Sequence, residues 1–157
     1  MKKNNFSRLF AAMIFVAVLV LSGCGKTPAK ASIYGDWVDS YGSHYEVKTS
    51  GFKNYGDGWS GYAGDNLTVD EISDTEGTIF IKYTIAANAD WTYSATAPDV
   101  GKWYAISYKD LTENAVKISG AYKAGGKTAC ATLEEAKTEF TAANGYFDYY
   151  SECTKAE

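Results

Sequence analysis

Beyond residue 32, apolar and polar residues alternate in short runs divided by turn formers. Ile33 to Val38 is the first run, and Asp39-Ser40-Tyr41-Gly42-Ser43 ends it. Tyr45 and Val47 alternate with His44, Glu46 and Lys48 in a second. The glycine-rich stretch from Gly51 to Asp65 predicts a third strand with irregular edges, carrying Tyr55, Trp59 and Tyr62. Leu67 and Val69 open a fourth that is expected to bulge near Asp70-Glu71. Ile79, Ile81, Tyr83 and Ile85 give the cleanest period of two, and Tyr104, Ile106 and Tyr108 repeat it. Val116, Ile118 and Tyr122 follow, with Gly120 where a side chain is expected, so that glycine marks a bend or a close approach. Short strands separated by turns, with no βαβ units, predict a mainly β sandwich or antiparallel barrel.

One segment has the helical period instead. Thr132 followed by Glu135 is a capping-box pattern, and Leu133, Ala136, Phe140 and Ala143 share a face. Asn144-Gly145 supplies the stop. Tyr146 to Tyr150 then reads as a final strand.

Ahead of the alternating region the pattern is of another kind. Lys2, Lys3 and Arg8 precede twelve apolar residues from Phe10 to Leu21, and Ser22-Gly23-Cys24 follows. A basic start, a short apolar run and small residues before a cleavage point describe a secretory signal, and the run is too short to span a bilayer. Leu21-Ser22-Gly23-Cys24 resembles the lipobox of bacterial lipoproteins. That resemblance implies cleavage before Cys24, lipid on its sulfur and acylation of the new amino group. Two chains anchor a protein stably where one does so only marginally. In that family a glycine after the cysteine, as Gly25 is here, goes with the outer membrane where the cell has one, so the resemblance implies the outer membrane or cell surface. The expected divisions are a signal over 1–23, a lipidated tether over 24–32 and a domain over 33–157.

Removing the signal changes the charge. It leaves 134 residues, enough for one domain, with twelve lysines against nineteen carboxylates and a net charge of −7. The only arginine, Arg8, goes with the signal. An acidic domain without guanidinium groups is a poor fit to nucleic acid, which is set aside as a partner. All thirteen tyrosines and all four tryptophans remain, a usage that suits strands and also suits a binding surface.

With Cys24 taken by lipid, Cys130 and Cys153 are left, and outside the cytoplasm they are expected to form a disulfide across the helix and the last strand. Closing that loop is worth about 3 kcal/mol in the chain-entropy model. Catalytic chemistry is thin. His44 is the single histidine and alternates outward with Glu46 and Lys48, so it reads as a surface residue; no nucleophile motif accompanies it. Asp57, Asp65 and Asn66 lack the Asp-x-Asp spacing of a calcium loop and read as turn residues. No catalytic residue, metal or cofactor is assigned.

Gly35-Asp36-Trp37 at the first strand resembles the Gly-x-Trp opening of lipocalin-like barrels, which also carry a late helix. The resemblance covers about residues 33–153 and implies a closed eight-stranded barrel whose tryptophan closes the base under a late arginine; this domain has no arginine. Such a barrel holds one small ligand or is filled by its own side chains. Ile79, Ile81, Tyr83, Tyr104, Ile106 and Tyr108 form the expected inward set. Candidate ligand contacts are Tyr83, Tyr104 and Tyr108 from that set, Tyr55, Trp59 and Tyr62 from the glycine-rich loop, and Trp91 beside Tyr93. The expected function is a membrane-anchored, non-enzymatic binding lipoprotein for a small apolar ligand, a glycan or a peptide. The rival is a structural or protein-interaction role in the envelope, with a filled barrel and no small ligand.

Overall fold

The computed structural model describes residues 30–157. The signal over 1–23, the lipidation at Cys24 and most of the tether lie outside the described residues. From Gly35 onward the chain forms nine strands: β1 (Gly35–Asp39), β2 (His44–Lys48), β3 (Gly51–Gly56), β4 (Trp59–Ser73), β5 (Glu76–Ala87), β6 (Tyr93–Ser94), β7 (Trp103–Lys109), β8 (Ala115–Gly120) and β9 (Ser151–Lys155). Eight of them form an antiparallel ring in which each strand pairs with its neighbour in the chain. The pairing of β1 with β9, through Trp37↔Lys155 and Asp39↔Cys153, closes it. The short β6 pairs only with the end of β5, outside the ring. The protein is therefore a closed eight-stranded antiparallel barrel, which leaves no long exposed sheet edge.

The expected alternation sets the interior. Ile79, Ile81, Tyr83, Tyr104, Ile106 and Tyr108 are all buried, joined by Trp37, Val47, Phe52, Val116 and Ile118. Each large apolar side chain buried this way contributes about 1.5–3 kcal/mol relative to exposure. Trp37 is fully buried and its Nε1 donates to the Ile33 carbonyl at 2.8 Å. The Lys155 ammonium lies 5.8 Å from the Trp37 ring centroid.

The two ends of the barrel differ. The turns at 49–50, 74–75 and 110–114 share one end, the base. The segment from Lys30 to Tyr34 crosses it, with Ile33 buried and Lys30 paired to Glu71 at 2.7 Å and Asp74 at 3.2 Å. The other end, the mouth, carries the turns at 40–43 and 57–58 and the two long connections, 88–102 and 121–150. The N-terminal segment thus enters at the base, opposite the mouth.

The single α-helix, α1 (Leu133–Glu139), starts at Thr132, whose hydroxyl accepts from the Glu135 N–H at 3.1 Å. The Glu135 carboxylate reaches back to the Ala131 N–H at 3.1 Å, so the expected cap is present with its return bond one residue early. Ala136 on the helix and Phe80 and Ala105 on β5 and β7 form a second buried layer on the outer wall. The helix ends sooner than its apolar pattern suggests. Phe140 leaves helical geometry, a 3₁₀ turn spans Ala142–Asn144, and Gly145 in the left-handed region closes it.

Three further expectations are corrected. Tyr146 to Tyr150 is not a strand; Tyr146 and Phe147 are drawn into the core instead, and the last strand starts at Ser151. The fourth strand starts at Trp59, with register shifts between Ala63 and Gly64, Asp65 and Thr68, and Glu71 and Ser73. Cys130 and Cys153 are both free and buried. Cys130 bridges Trp103 at the mouth end of β7, whereas Cys153 lies midway along β9, two strands away between Asp39 and Val116, and the two thiols form no disulfide. Burial raises both thiol pKa values, that of Cys153 to about 12, so both stay protonated.

Candidate functional site at the barrel mouth

Tyr62 on β4, Tyr83 on β5 and Tyr104 on β7 meet at the mouth end of the interior. The rings of Tyr83 and Tyr104 stack at 4.8 Å, and Tyr62 meets them edge-on at 6.2 Å and 5.3 Å. Offset stacks and edge contacts of this kind are worth about 0.5–1.5 kcal/mol each beyond burial. Gly120 explains how three phenols fit. A Cβ at that position would stand 2.5 Å from the Tyr104 hydroxyl and 3.3 Å from that of Tyr62. The gap expected in the β8 alternation is therefore a close approach, and it gives the tyrosine hydroxyls their room.

Above this floor lies a recess of about 480 Å³. Ala86, Ala87 and Ala121 give it apolar walls, and Trp91, Tyr93 and Tyr122 form its rim. Its size is that of a small-molecule site. Other depressions of about 830 Å³ and 670 Å³ lie on the outer wall, over β9 and over the β3–β4 hairpin. The mouth recess is the one that reaches Tyr62, Tyr83 and Tyr104.

Burial pushes the Tyr62, Tyr83 and Tyr104 hydroxyls above the ordinary phenol range. Neighbouring phenols add to the rise at Tyr62 and Tyr83, while at Tyr104 the hydrogen bond with Tyr83 opposes it; all three stay neutral donors and acceptors at physiological pH. Among the described residues the sealed side-chain polar atom without a partner is Oδ1 of Asp36, away from the mouth. The mouth hydroxyls are thus bonded or open to the recess.

The rim is built on a tight turn. The Trp91 N–H donates to the Asn88 carbonyl at 3.1 Å and the Asn88 N–H to the Thr92 carbonyl at 2.7 Å. Asp90 Oδ1 accepts from the Thr92 N–H at 3.1 Å and its hydroxyl at 2.6 Å. Within that turn Trp91 sits at φ 65° and is 70% exposed. A bulky residue at positive φ is an outlier, and here it places an indole in the lining of the recess.

Four of the seven candidate aromatics, Tyr62, Tyr83, Trp91 and Tyr104, therefore come together. The other three do not. Trp59 lies against Gly56 and Gly61, where added Cβ atoms would meet its ring at 2.2 Å and 3.0 Å. Tyr55 stacks on His44 at 4.8 Å and donates to Asp36 Oδ2 at 3.2 Å. Tyr108 is buried toward the base. The glycine-rich loop is thus a hairpin whose aromatics go three separate ways.

His44 also departs from expectation. Its Nδ1 lies 3.0 Å from Asp36 Oδ2, and the ring is half-buried between Asp36 and Tyr55. The β1–β2 register, with Val38 opposite His44, brings it within reach of Asp36. Sequence reasoning left out Ala86, Ala87, Ala121, Tyr122 and Lys123, which reach the mouth only through strand ends and the long connections. The alternation predicts Tyr122 on the strand of Val116 and Ile118, but β8 ends at Gly120.

The chain matches no family model, no curated protein and no solved structure.

Proposed function

We propose that this chain is a lipid-tethered binding protein of the bacterial envelope, non-enzymatic, whose barrel mouth takes a small apolar ligand. The observation that carries this is the recess of about 480 Å³ over the Tyr62–Tyr83–Tyr104 floor. A packed base gives that floor a rigid support, and the half-exposed rim aromatics offer contact area at small entropic cost. The tether rests on the Leu21-Ser22-Gly23-Cys24 motif. With the chain entering at the base, a lipid on Cys24 leaves the mouth facing away from the bilayer. The ligand then arrives from the aqueous side.

Two experiments test the parts separately. Native mass spectrometry of the purified chain is expected to show a small-molecule adduct, or uptake of an apolar dye. Ala87→Trp, which fills the recess from its wall, should remove it. A chain that carries nothing and takes up no dye overturns the binding reading. Cys24→Ser should move the protein from the membrane fraction to the soluble one; retention in the membrane pellet overturns the tether.

A further inference from the structure

The charges around the mouth do not cancel. Asp99 is held by Lys102 at 2.8 Å and by the Thr128 hydroxyl at 2.6 Å. Lys127 is taken by Glu135, with Glu139 at 3.9 Å. Among the described residues, Asp90 on the rim turn is held by Thr92 with no cation beside it, and Lys123 is the mouth lysine with no carboxylate beside it. Its ammonium donates to the Asn144 carbonyl at 2.8 Å, which uses one of three donors. Among the described residues no carboxylate pairs with it, and residues 1–29 contain no acidic residue. Lys123 thus lines the aromatic recess without an anionic partner, its ammonium resting at the Asn144 carbonyl and 5.7 Å from the Tyr146 ring centroid.

The lining of the recess adds a second constraint. Tyr62, Tyr83, Trp91, Tyr93, Tyr104 and Tyr122 all line it, Trp91 on its strained turn. A lining this rich in aromatic rings suits a planar ring system better than a flexible chain, because stacked and edge-to-face contacts are lost when the occupant carries no ring.

We propose that the mouth selects a planar aromatic anion, with its rings against this aromatic lining and its carboxylate or similar acidic group on Lys123. This rests on the mouth being the binding site. A charge-assisted hydrogen bond exceeds a neutral one by about 1 kcal/mol. A preference of about five- to tenfold for the anion is the expected scale.

The test is calorimetric titration of the full chain with two probes of one shape, naphthalene-2-carboxylate and naphthalene-2-methanol. The carboxylate is expected to bind about five- to tenfold more tightly. In Lys123→Met the preference should vanish, the ratio of the two affinities falling to about one. Trp91→Ala should weaken both probes and keep their ratio. Equal affinity of the two probes for the native chain overturns the anion preference and leaves an aromatic site standing. A preference that survives in Lys123→Met overturns the role of Lys123. If neither probe binds, while an aliphatic dye does, the planar-aromatic selection fails and the binding reading survives. If nothing binds at all, both fall.

Discussion

Tyr104 and Tyr108 sit on one strand and point to one face, yet the two ends of the barrel use them differently. Tyr108 is 2% exposed and fills the space that Gly77 leaves, where a Cβ would lie 2.5 Å from its hydroxyl. It is part of a plug with Trp37, Ile79 and Ile106, beneath which the N-terminal segment passes. Tyr104 stands against an equivalent gap at Gly120, but above it the barrel stays open to the recess. The same residue type, fitted by the same glycine device, closes one end and floors a site at the other. What separates them is what lies beyond. The base has short turns and a covering strap, whereas the mouth has the two long connections, which carry its rim. A barrel of this size is open at the end where its side chains stop short of the opening.

The largest difference between the ends should appear on removing the plug. Trp37→Ala deletes a fully buried indole and its bond to Ile33. It is expected to cost about 3–5 kcal/mol, read from urea unfolding curves. An equal truncation at the rim, Trp91→Ala, should leave the curve within about 0.5 kcal/mol of the native one. Equal losses at both sites would erase the distinction between plug and rim.

Next in size is the pair of glycines. Gly77→Ala and Gly120→Ala each drive a methyl onto a phenol hydroxyl at 2.5 Å, so each should lose about 1–3 kcal/mol of stability. Their effects on binding should diverge. Gly120→Ala displaces Tyr104 and Tyr62 and weakens dye uptake at the mouth; Gly77→Ala, at the base, leaves uptake unchanged. Dye titrations on the two variants, made under conditions where both remain folded, check this.

A third effect is silent at neutral pH. The folded-state pKa values of Tyr62, Tyr83 and Tyr104 are raised, by burial first. A raised folded pKa means stability fully present below the unfolded value of about 10 and lost as pH climbs beyond it. Tyr45, whose hydroxyl is held near 12 by burial, loses its share between about 10 and 12. Absorbance titration at alkaline pH should therefore show two groups. Tyr62, Tyr83 and Tyr104 belong to the later group and ionise only as the barrel opens. Circular dichroism should fall with the second group.

How much of this was legible beforehand follows from the same contrast. The base and walls were, because the inward set on β5 and β7 obeys a strict period of two and the Trp37 opening fixes the first strand. The capped start of α1 was legible too, since a cap is a local device. The mouth was legible only in part. Tyr83 and Tyr104 follow the strand period, but Ala121, Tyr122 and Lys123 depend on where β8 stops, and no local signal marks that point. Cys130 and Cys153 failed for a related reason: a pairing inferred from compartment says nothing about where on the barrel each thiol lies. His44 was misjudged because its partner Asp36 lies across a strand pair, where register rather than periodicity decides contact.

The smallest effect tests what the rim turn is for. Trp91 holds φ 65° at 70% exposure, so it costs conformational energy and buries little in return. Asparagine tolerates the left-handed region far better than tryptophan. Trp91→Asn should therefore leave stability unchanged or raise it by up to about 1 kcal/mol. If the indole is present for the ligand, the same variant must bind more weakly while it unfolds later. Thermal unfolding and dye titration on one sample would show both movements. A variant that gains stability and keeps full affinity would reduce Trp91 to an exposed residue on a strained turn, and the mouth would then end at its tyrosine floor.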